Sequence, residues 1–129
     1  MKRHVTFLST LYLLWGAIFT VVAISGFALA VGAQAIADSA GPVRFGSEMA
    51  ARLTAYTIGV IATIALIWGG LHLWVGTAIK KYRPSARMMA IGLAVGNMVL
   101  FPFGTGLGGY ACWVLLNEEG RLLFEAPRA

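Results

Sequence analysis

Three long apolar stretches dominate the pattern of the chain. Asp, Glu, Lys and Arg are missing from residues 4–37, 53–79 and 88–117, which are stretches of 34, 27 and 30 residues. A helix of about 20 apolar residues is long enough to cross the hydrocarbon core of a bilayer. A soluble domain of this size cannot bury three such stretches, so the pattern predicts an all-α integral membrane protein with a single transmembrane domain over residues 1–129.

The first two stretches each predict one membrane helix, over about residues 5–31 and 47–79. The basic start Met1-Lys2-Arg3-His4 is also typical of a cleaved signal peptide, but the apolar core of a signal peptide has only about 7–15 residues. The length therefore favours a retained helix. We expect an extracytoplasmic loop over residues 34–46, with a turn at Gly41-Pro42, because Gly-Pro is a common turn signal.

The third stretch is too long for one helix, since 30 residues would extend about 45 Å against a hydrocarbon thickness of about 30 Å. Pro102 lacks a backbone donor, and Gly104 permits a reversal of the chain. We therefore predict a short helical hairpin with arms of about residues 85–101 and 105–118, turning at Pro102-Gly104. If Pro102 only kinked one helix, the chain would have three spans and an external carboxy terminus.

The charges orient this predicted four-helix bundle. Only 12% of the residues are charged, against about 25% in soluble domains. We predict that both termini and a loop over residues 80–84 lie in the cytoplasm. Eight Lys and Arg residues then face the cytoplasm and two face outward, as the positive-inside rule favours. The eight are Lys2, Arg3, Lys80, Lys81, Arg83, Arg87, Arg121 and Arg128; the two are Arg44 and Arg52.

The net charge of +5 does not indicate a nucleic-acid partner. A nucleic-acid surface needs Lys and Arg gathered on a domain that faces water. Here the densest positive cluster, Lys80, Lys81, Arg83 and Arg87, directly adjoins apolar stretches. This placement is typical of residues that set topology and contact lipid headgroups.

Two polar side chains stand out at predicted membrane depth. His72 lies eight residues before Lys80, and Asn97 lies in the third predicted helix. Ionisable residues inside membranes are functional candidates, for a proton relay, a transport pathway or a haem ligand. A structural alternative is that each side chain forms a hydrogen bond between helices, which is a common role of lone polar residues in membranes.

Glycine spacing indicates close helix packing. Gly92 and Gly96 are four residues apart in the third predicted helix, and Gly104 and Gly108 are four apart in the fourth. Small residues at this spacing let helix backbones approach closely. We expect these four glycines to pack the hairpin.

The residues form no recognisable catalytic or metal-binding set. No Ser-His-Asp arrangement, carboxylate pair at membrane depth or zinc-ligand spacing is found. The single Cys112 excludes an intrachain disulfide. We therefore expect no enzyme activity, no metal and no cofactor.

The last third of the chain, from about Met88, resembles a type of small uncharacterised bacterial membrane protein. The resemblance rests on Phe101-Pro102-Phe103-Gly104-Thr105-Gly106-Leu107-Gly108-Gly109-Tyr110 and on Trp113-Val114-Leu115-Leu116. It implies a bacterial origin, four membrane helices and a proline-glycine hairpin. It implies no activity, because none is established for that type.

These observations predict a multi-pass protein of a bacterial inner membrane that acts by binding other membrane components. Its partners would be membrane lipids and another membrane protein or a second copy, in an accessory or assembly role. The alternative is a small oligomeric transporter or channel with His72 and Asn97 on its pathway.

Overall fold

The computed structural model describes residues 1–39 and 45–125, which form five helices and no strand. The helices are α1 (Lys2–Ser39), α2 (Phe45–Lys80), α3 (Pro84–Asn97), α4 (Phe103–Leu116) and α5 (Glu118–Glu125). The all-α class predicted from the sequence is confirmed for these residues. The number of helices is one more than predicted.

The chain divides into two compact units. The first unit contains residues 1–16 and the described residues from 71 onward, and the second unit contains the described residues between 17 and 70. Helices α1 and α2 therefore contribute to both units, whereas α3, α4 and α5 belong to the first.

Helices α1 and α2 are long and apolar enough to cross a membrane, judged by length and composition. Both extend further than predicted, because α1 continues through Ser39 and α2 begins at Phe45. The predicted loop over 34–46 is therefore wrong at its ends. Residues 34–38 include two alanines and a glutamine, which favour helix. The Gly41-Pro42 turn lies outside the described residues.

Helix α2 ends in a Schellman motif built on Tyr82. The Arg83 N–H donates to the Ala78 carbonyl at 3.1 Å, and the Tyr82 N–H donates to the Ile79 carbonyl at 2.9 Å. Tyr82 has a φ of 50°, a left-handed conformation that favours glycine. The adjacent Pro84 then begins α3, where its missing N–H needs no partner.

The reversal between α3 and α4 begins earlier than the predicted Pro102-Gly104 turn, with Pro102 as its last residue and Gly104 inside α4. Residues 98–102 form the turn, and the Phe101-Pro102 peptide bond is cis. The Leu100 N–H donates to the Asn97 carbonyl at 2.8 Å, and the Gly104 N–H donates to the Leu100 carbonyl at 2.7 Å. The first bond uses a carbonyl group that the end of α3 leaves unpaired within the helix, and the second ties the turn to the start of α4.

Each arm of the hairpin has 14 residues, so the first arm is shorter than predicted, whereas the second has the predicted length but begins and ends two residues earlier. The predicted fourth helix was wrong at its carboxy end because Asn117 interrupts it. Asn117 has extended backbone angles, and its side-chain oxygen accepts from the Glu119 N–H at 3.2 Å. Asn117 therefore caps α5, and the acidic Glu118 and Glu119 favour the positive end of that helix.

The two units bury different kinds of side chain. The core of the first unit contains Leu8, Tyr12, Ile79, Leu115 and Phe124, all at most 2% exposed. The buried apolar residues of the second unit are alanines: Ala23, Ala37, Ala55, Ala62 and Ala65. Its larger apolar side chains are mostly exposed.

Candidate functional site

The two polar side chains predicted at membrane depth lie together in the first unit. His72, from α2, and Asn97, at the end of α3, are both fully buried. Asn97 Nδ2 and His72 Nε2 are 2.8 Å apart, within hydrogen-bond distance. The sequence indicated each residue separately and did not predict that they would pair.

A tryptophan sets the direction of this hydrogen bond. The Trp15 Nε1–H of α1 donates to Asn97 Oδ1 at 3.2 Å. An indole nitrogen can only donate, so this contact identifies the amide oxygen and turns the Asn97 amide nitrogen toward His72. His72 Nε2 therefore accepts, and the neutral imidazole carries its proton on Nδ1.

Tyr12 closes the cluster on another side of the imidazole. Its ring stacks on His72 with a centroid separation of 5.4 Å and an interplanar angle of 25°. Its hydroxyl donates to the Ala90 carbonyl of α3 at 2.7 Å. One turn away, Ser9 Oγ donates to the Gly76 carbonyl of α2 at 2.8 Å. We call His72, Asn97, Trp15, Tyr12 and Ser9 the polar cluster.

The contribution of α1 to the polar cluster was not predicted. Ser9, Tyr12 and Trp15 follow a three-residue spacing, which places them along one side of a helix. Leu8 and Val5 continue that buried side toward the amino terminus. The sequence therefore contained a signal for this contribution, namely side chains with polar ends at three-residue spacing. It was missed because the surrounding stretch is strongly apolar.

The polar cluster is suited to fastening helices together. Within it the Asn97 amide bonds both His72 and Trp15, and the hydroxyls of Tyr12 and Ser9 bond backbone carbonyls of other helices. Buried polar groups stabilise and orient helices when they are paired in this way. The geometry matches the structural alternative for His72 and Asn97.

The predicted packing glycines have different surroundings. A Cβ on Gly104 would collide with the Asn97 carbonyl, and one on Gly108 would collide with the Ala94 carbonyl and lie 2.9 Å from Met98 Cγ. Helix α4 thus approaches the backbone of α3 at two successive turns. Gly92 differs, because a Cβ there would meet no described atom within 4 Å, so its predicted packing role is wrong within this chain.

Gly96, the fourth predicted packing glycine, is partly buried next to Asn97. It precedes the polar cluster directly in α3. Its carbonyl accepts from the Val99 N–H at 3.3 Å in the first part of the turn.

The predicted headgroup cluster is divided by its contacts. Lys80, Lys81 and Arg83 are exposed around the end of α2. Arg87 is only 22% exposed, because its Nε–H donates to the Leu115 carbonyl at 2.9 Å and its Nη1 lies 3.7 Å from Glu125. The charge of Arg87 binds the carboxy end of α4, where a cation is favourable, and its predicted headgroup role stays a prediction.

Aromatic side chains join α1 and α4 near the amino terminus. Tyr110 OH lies 3.0 Å from His4 Nδ1, and its ring contacts Phe7 with centroids 5.9 Å apart. The His4 ring also meets Trp113 edge-on at 5.4 Å. The ammonium group of Met1 lies 3.8 Å from Glu119. The beginning of α1 and the end of α4 are therefore adjacent.

An apolar groove of about 330 Å³ lies beside these aromatic residues in the first unit. We call it the α1–α4 groove, and it is lined by Leu11, Leu14, Trp15, Pro102, Phe103, Gly106, Leu107 and Tyr110. The groove is open to the surface, and its lining is almost entirely apolar.

Within the described residues, the second unit carries its ion pairs at one end. Arg52 Nη2 lies 3.1 Å from Glu48 Oε1, one helical turn away, and 3.5 Å from Asp38 Oδ1. All three side chains are at least partly exposed, so these ion pairs are weak contributors to stability. Elsewhere the exposed surface of the unit is largely apolar.

Across residues 1–39 and 45–125, no group of three or more His, Cys, Asp and Glu side chains could hold a metal ion. Comparison of the chain with protein-family models, curated proteins and solved structures finds no match. The resemblance of the last third to a bacterial membrane protein type therefore stays a prediction.

Proposed function

We propose that this chain is a multi-pass integral membrane protein that binds other membrane components, as an accessory or assembly subunit of a membrane complex or as a homo-oligomer. The observation that carries the proposal is the distribution of side chains in the second unit. Its interior holds alanines, while Val21, Ile24, Leu29 and Ile64 are each more than 60% exposed.

An arrangement with buried alanines and exposed larger apolar side chains is unfavourable in water. Burying a Leu, Ile or Val side chain is favourable by about 1.5–3 kcal/mol in water, so water-soluble helices turn these residues inward. In lipid the drive is absent, and helices associate through small residues that permit close approach. At Gly26 an added Cβ would lie only 2.9 Å from the Ala62 Cβ, which is such an approach.

Two contacts support an arrangement in which the amino terminus and the end of α4 lie on one side of the membrane, and the positive-inside rule assigns that side to the cytoplasm of the proposed bacterial host. The Met1 ammonium lies close to Glu119, and His4 contacts Tyr110. These contacts bring the amino terminus to the end of α4, as a returning hairpin requires. Each hairpin arm would extend about 21 Å, less than the hydrocarbon thickness of about 30 Å, so a thinned bilayer or a re-entrant hairpin is part of the proposal.

The contacts of the polar cluster favour this function over transport. A transport pathway through His72 and Asn97 needs side chains that water or a solute can reach. Both are 0% exposed, and the Asn97 amide bonds His72 and Trp15. We likewise propose no catalytic role for them.

Three measurements test the proposed function. Alkaline carbonate should leave the chain in the membrane fraction, and a reporter fused after Ala129 should give a cytoplasmic signal. Purification in mild detergent should retain a second membrane protein or a second copy. A carbonate-extracted chain, an external reporter or a strictly monomeric, partnerless chain would each contradict the corresponding part of the proposal.

Flux measurements in liposomes separate the transport alternative. We expect no flux of protons or small ions that depends on His72 or Asn97. Flux that is present in the parent chain and disappears in both His72→Ala and Asn97→Ala, while the variants stay folded, would support the transporter instead.

A further inference from the structure

The α1–α4 groove has walls that continue past its lining residues to the amino terminus. On α1, Leu14, Leu11 and Phe7 follow one another at spacings of three and four, which places them on one side of the helix. On α4, Tyr110 lines the groove and contacts both Phe7 and His4. The groove therefore leads toward the aromatic contacts of His4.

Helical spacing places a cation beyond that end of the groove. Arg3 lies four residues before Phe7, so it belongs to the same side of α1. It is exposed, and it makes no hydrogen bond or ion pair with the described residues. The nearby Met1 ammonium already has an acidic partner in Glu119. Arg3 thus offers a planar guanidinium that can bind a phosphate by two hydrogen bonds.

We propose that the α1–α4 groove is a binding site for an anionic phospholipid, with an acyl chain in the groove and the phosphate on Arg3. The site rests on the proposed function, since it requires the chain to lie in a membrane. An apolar groove ending in a polar aromatic group and a cation matches a molecule with an apolar chain and an anionic head.

The dimensions of the site agree with one leaflet of a bilayer. From Phe103 to Tyr110 helix α4 rises about 10 Å, which is within the roughly 15 Å of hydrocarbon in a single leaflet. His4, Tyr110 and Trp113 then lie at the depth where amphipathic rings concentrate. The acyl chain and the headgroup are therefore placed in the order that a lipid requires.

Charge complementarity favours a lipid over a second copy of this chain as the occupant. The chain carries a net charge of +5, and its amino-terminal end carries Lys2 and Arg3. A second copy docking by its own basic end would bring like charges together, whereas an anionic lipid neutralises Arg3.

The glycines of α4 provide a matched pair of variants for the test. Gly106 lines the groove, and a Cβ on it would meet no described atom within 4 Å. Gly109 is exposed, and a Cβ there likewise meets no described atom within that distance. Gly106→Leu therefore fills the groove, while Gly109→Leu makes the same change of residue on the same helix outside it.

The experiment is native mass spectrometry of the full chain in detergent, titrated with dioleoyl phosphatidylglycerol or dioleoyl phosphatidylcholine. We expect the parent to bind the anionic lipid about fivefold more tightly than the zwitterionic one. This is the difference in affinity expected from the attraction of one arginine to an anionic headgroup. Gly106→Leu should weaken binding of both lipids roughly tenfold, because its side chain occupies the groove and removes the packing contacts of the acyl chain. Gly109→Leu should bind like the parent.

Arginine variants test the placement of the headgroup. Arg3→Gln should abolish the preference for the anionic lipid and keep binding of the zwitterionic lipid. Arg83→Gln removes an exposed arginine from the α2–α3 connection and should keep the preference. Gly106→Ala, which needs less space, serves if the leucine variant does not fold, and it should weaken binding by a smaller factor.

Equal binding of the two lipids by the parent, or equal behaviour of Gly106→Leu and Gly109→Leu, would overturn the lipid site. A dimer that only the Gly106 variant dissociates would assign the groove to a second copy and also overturn it. Either result leaves membrane insertion intact, because carbonate extraction measures that separately.

Discussion

The two units solve the problem of packing apolar helices in opposite ways. The first unit buries large and polar side chains and joins them by hydrogen bonds between helices, including the contact of Asn97 with His72. The second unit buries alanines and exposes its Ile, Leu and Val side chains. The first unit is thus specified by contacts within the chain, whereas the second depends on the medium around it. Substitutions that act on only one of these two sources of stability can separate them.

The largest effect is expected from a charge on the exposed face of the second unit. Ile64 is 61% exposed near the middle of α2. Ile64→Asp should reduce membrane integration, because an aspartate at the centre of a membrane helix costs about 3 kcal/mol. Leu122 of α5 is 59% exposed, and Leu122→Asp should leave integration unchanged. Carbonate extraction measures both variants, and equal behaviour of the two would remove the distinction between the units.

The next effect concerns the close approach of α4 to α3. Gly108→Ala should lower the free energy of unfolding by about 2–3 kcal/mol, because its Cβ collides with the Ala94 carbonyl. The same change at Gly92 meets no described atom, and we expect it to stabilise α3 by about 0.5–1 kcal/mol. Denaturant unfolding in detergent gives both values; a similar sign for the two would contradict the packing described here.

The hydrogen bond between Asn97 and His72 predicts that substitutions at the two positions have non-additive effects on the free energy of unfolding. Asn97→Leu should cost about 2 kcal/mol, since it leaves the buried His72 Nε2 and Trp15 Nε1 without the contacts they make with the amide. His72→Phe should cost a similar amount. The double variant should cost about 1 kcal/mol less than the sum, because Asn97 and His72 are then removed together and only Trp15 Nε1 still loses its contact. Additive values from the same unfolding measurement would show that the pair is not a unit.

A smaller effect is expected from a single hydroxyl group. Tyr12→Phe removes the bond to the Ala90 carbonyl and should cost about 1 kcal/mol. Tyr56 lies in the second unit and is 78% exposed, so Tyr56→Phe should leave the free energy of unfolding within about 0.5 kcal/mol of the parent. The pair compares the same chemical change in the two units, and the idea fails if Tyr56 proves the more sensitive position.

The smallest net effect is expected at Tyr82. Tyr82→Gly removes the strain of the left-handed backbone conformation, which should stabilise the fold by about 1 kcal/mol. It also removes the ring contact with Phe124, which should destabilise the fold by a similar amount. Tyr82→Ala loses the contact without full relief and should be less stable than the glycine variant by about 1 kcal/mol. Thermal unfolding of the two variants ranks them, and an alanine variant as stable as the glycine one would argue against strain at this position.

Much of the fold followed from local chemistry. The uncharged stretches predicted the helices, and Pro102 predicted the reversal to within a few residues, because a missing donor acts on its own segment of the chain. The reversal role predicted for Gly104 was wrong, since Gly104 lies inside α4 without a positive φ. The helix ends were less predictable. Asn117 could have been identified as a cap from the two glutamates that follow it.

The candidate site was only half predictable. His72 and Asn97 were identified because polar groups are costly in an apolar stretch, and that cost is a property of the residue type. Their pairing, and the contacts of Tyr12 and Trp15, could not be read from spacing. These residues come from three helices, and which sides of those helices face each other depends on packing between distant segments.

The sequence by itself determined the helical class, the turn at Pro102 and the positions of the charges. Tertiary structure alone decided that Gly108 contacts a neighbouring helix while Gly92 does not, and that Arg87 binds the end of α4 instead of facing outward. The physical reason is that helix formation and reversal depend on neighbouring residues, whereas a side chain's partner depends on how each helix is rotated about its axis. That rotation is fixed by the shape of every other element it touches.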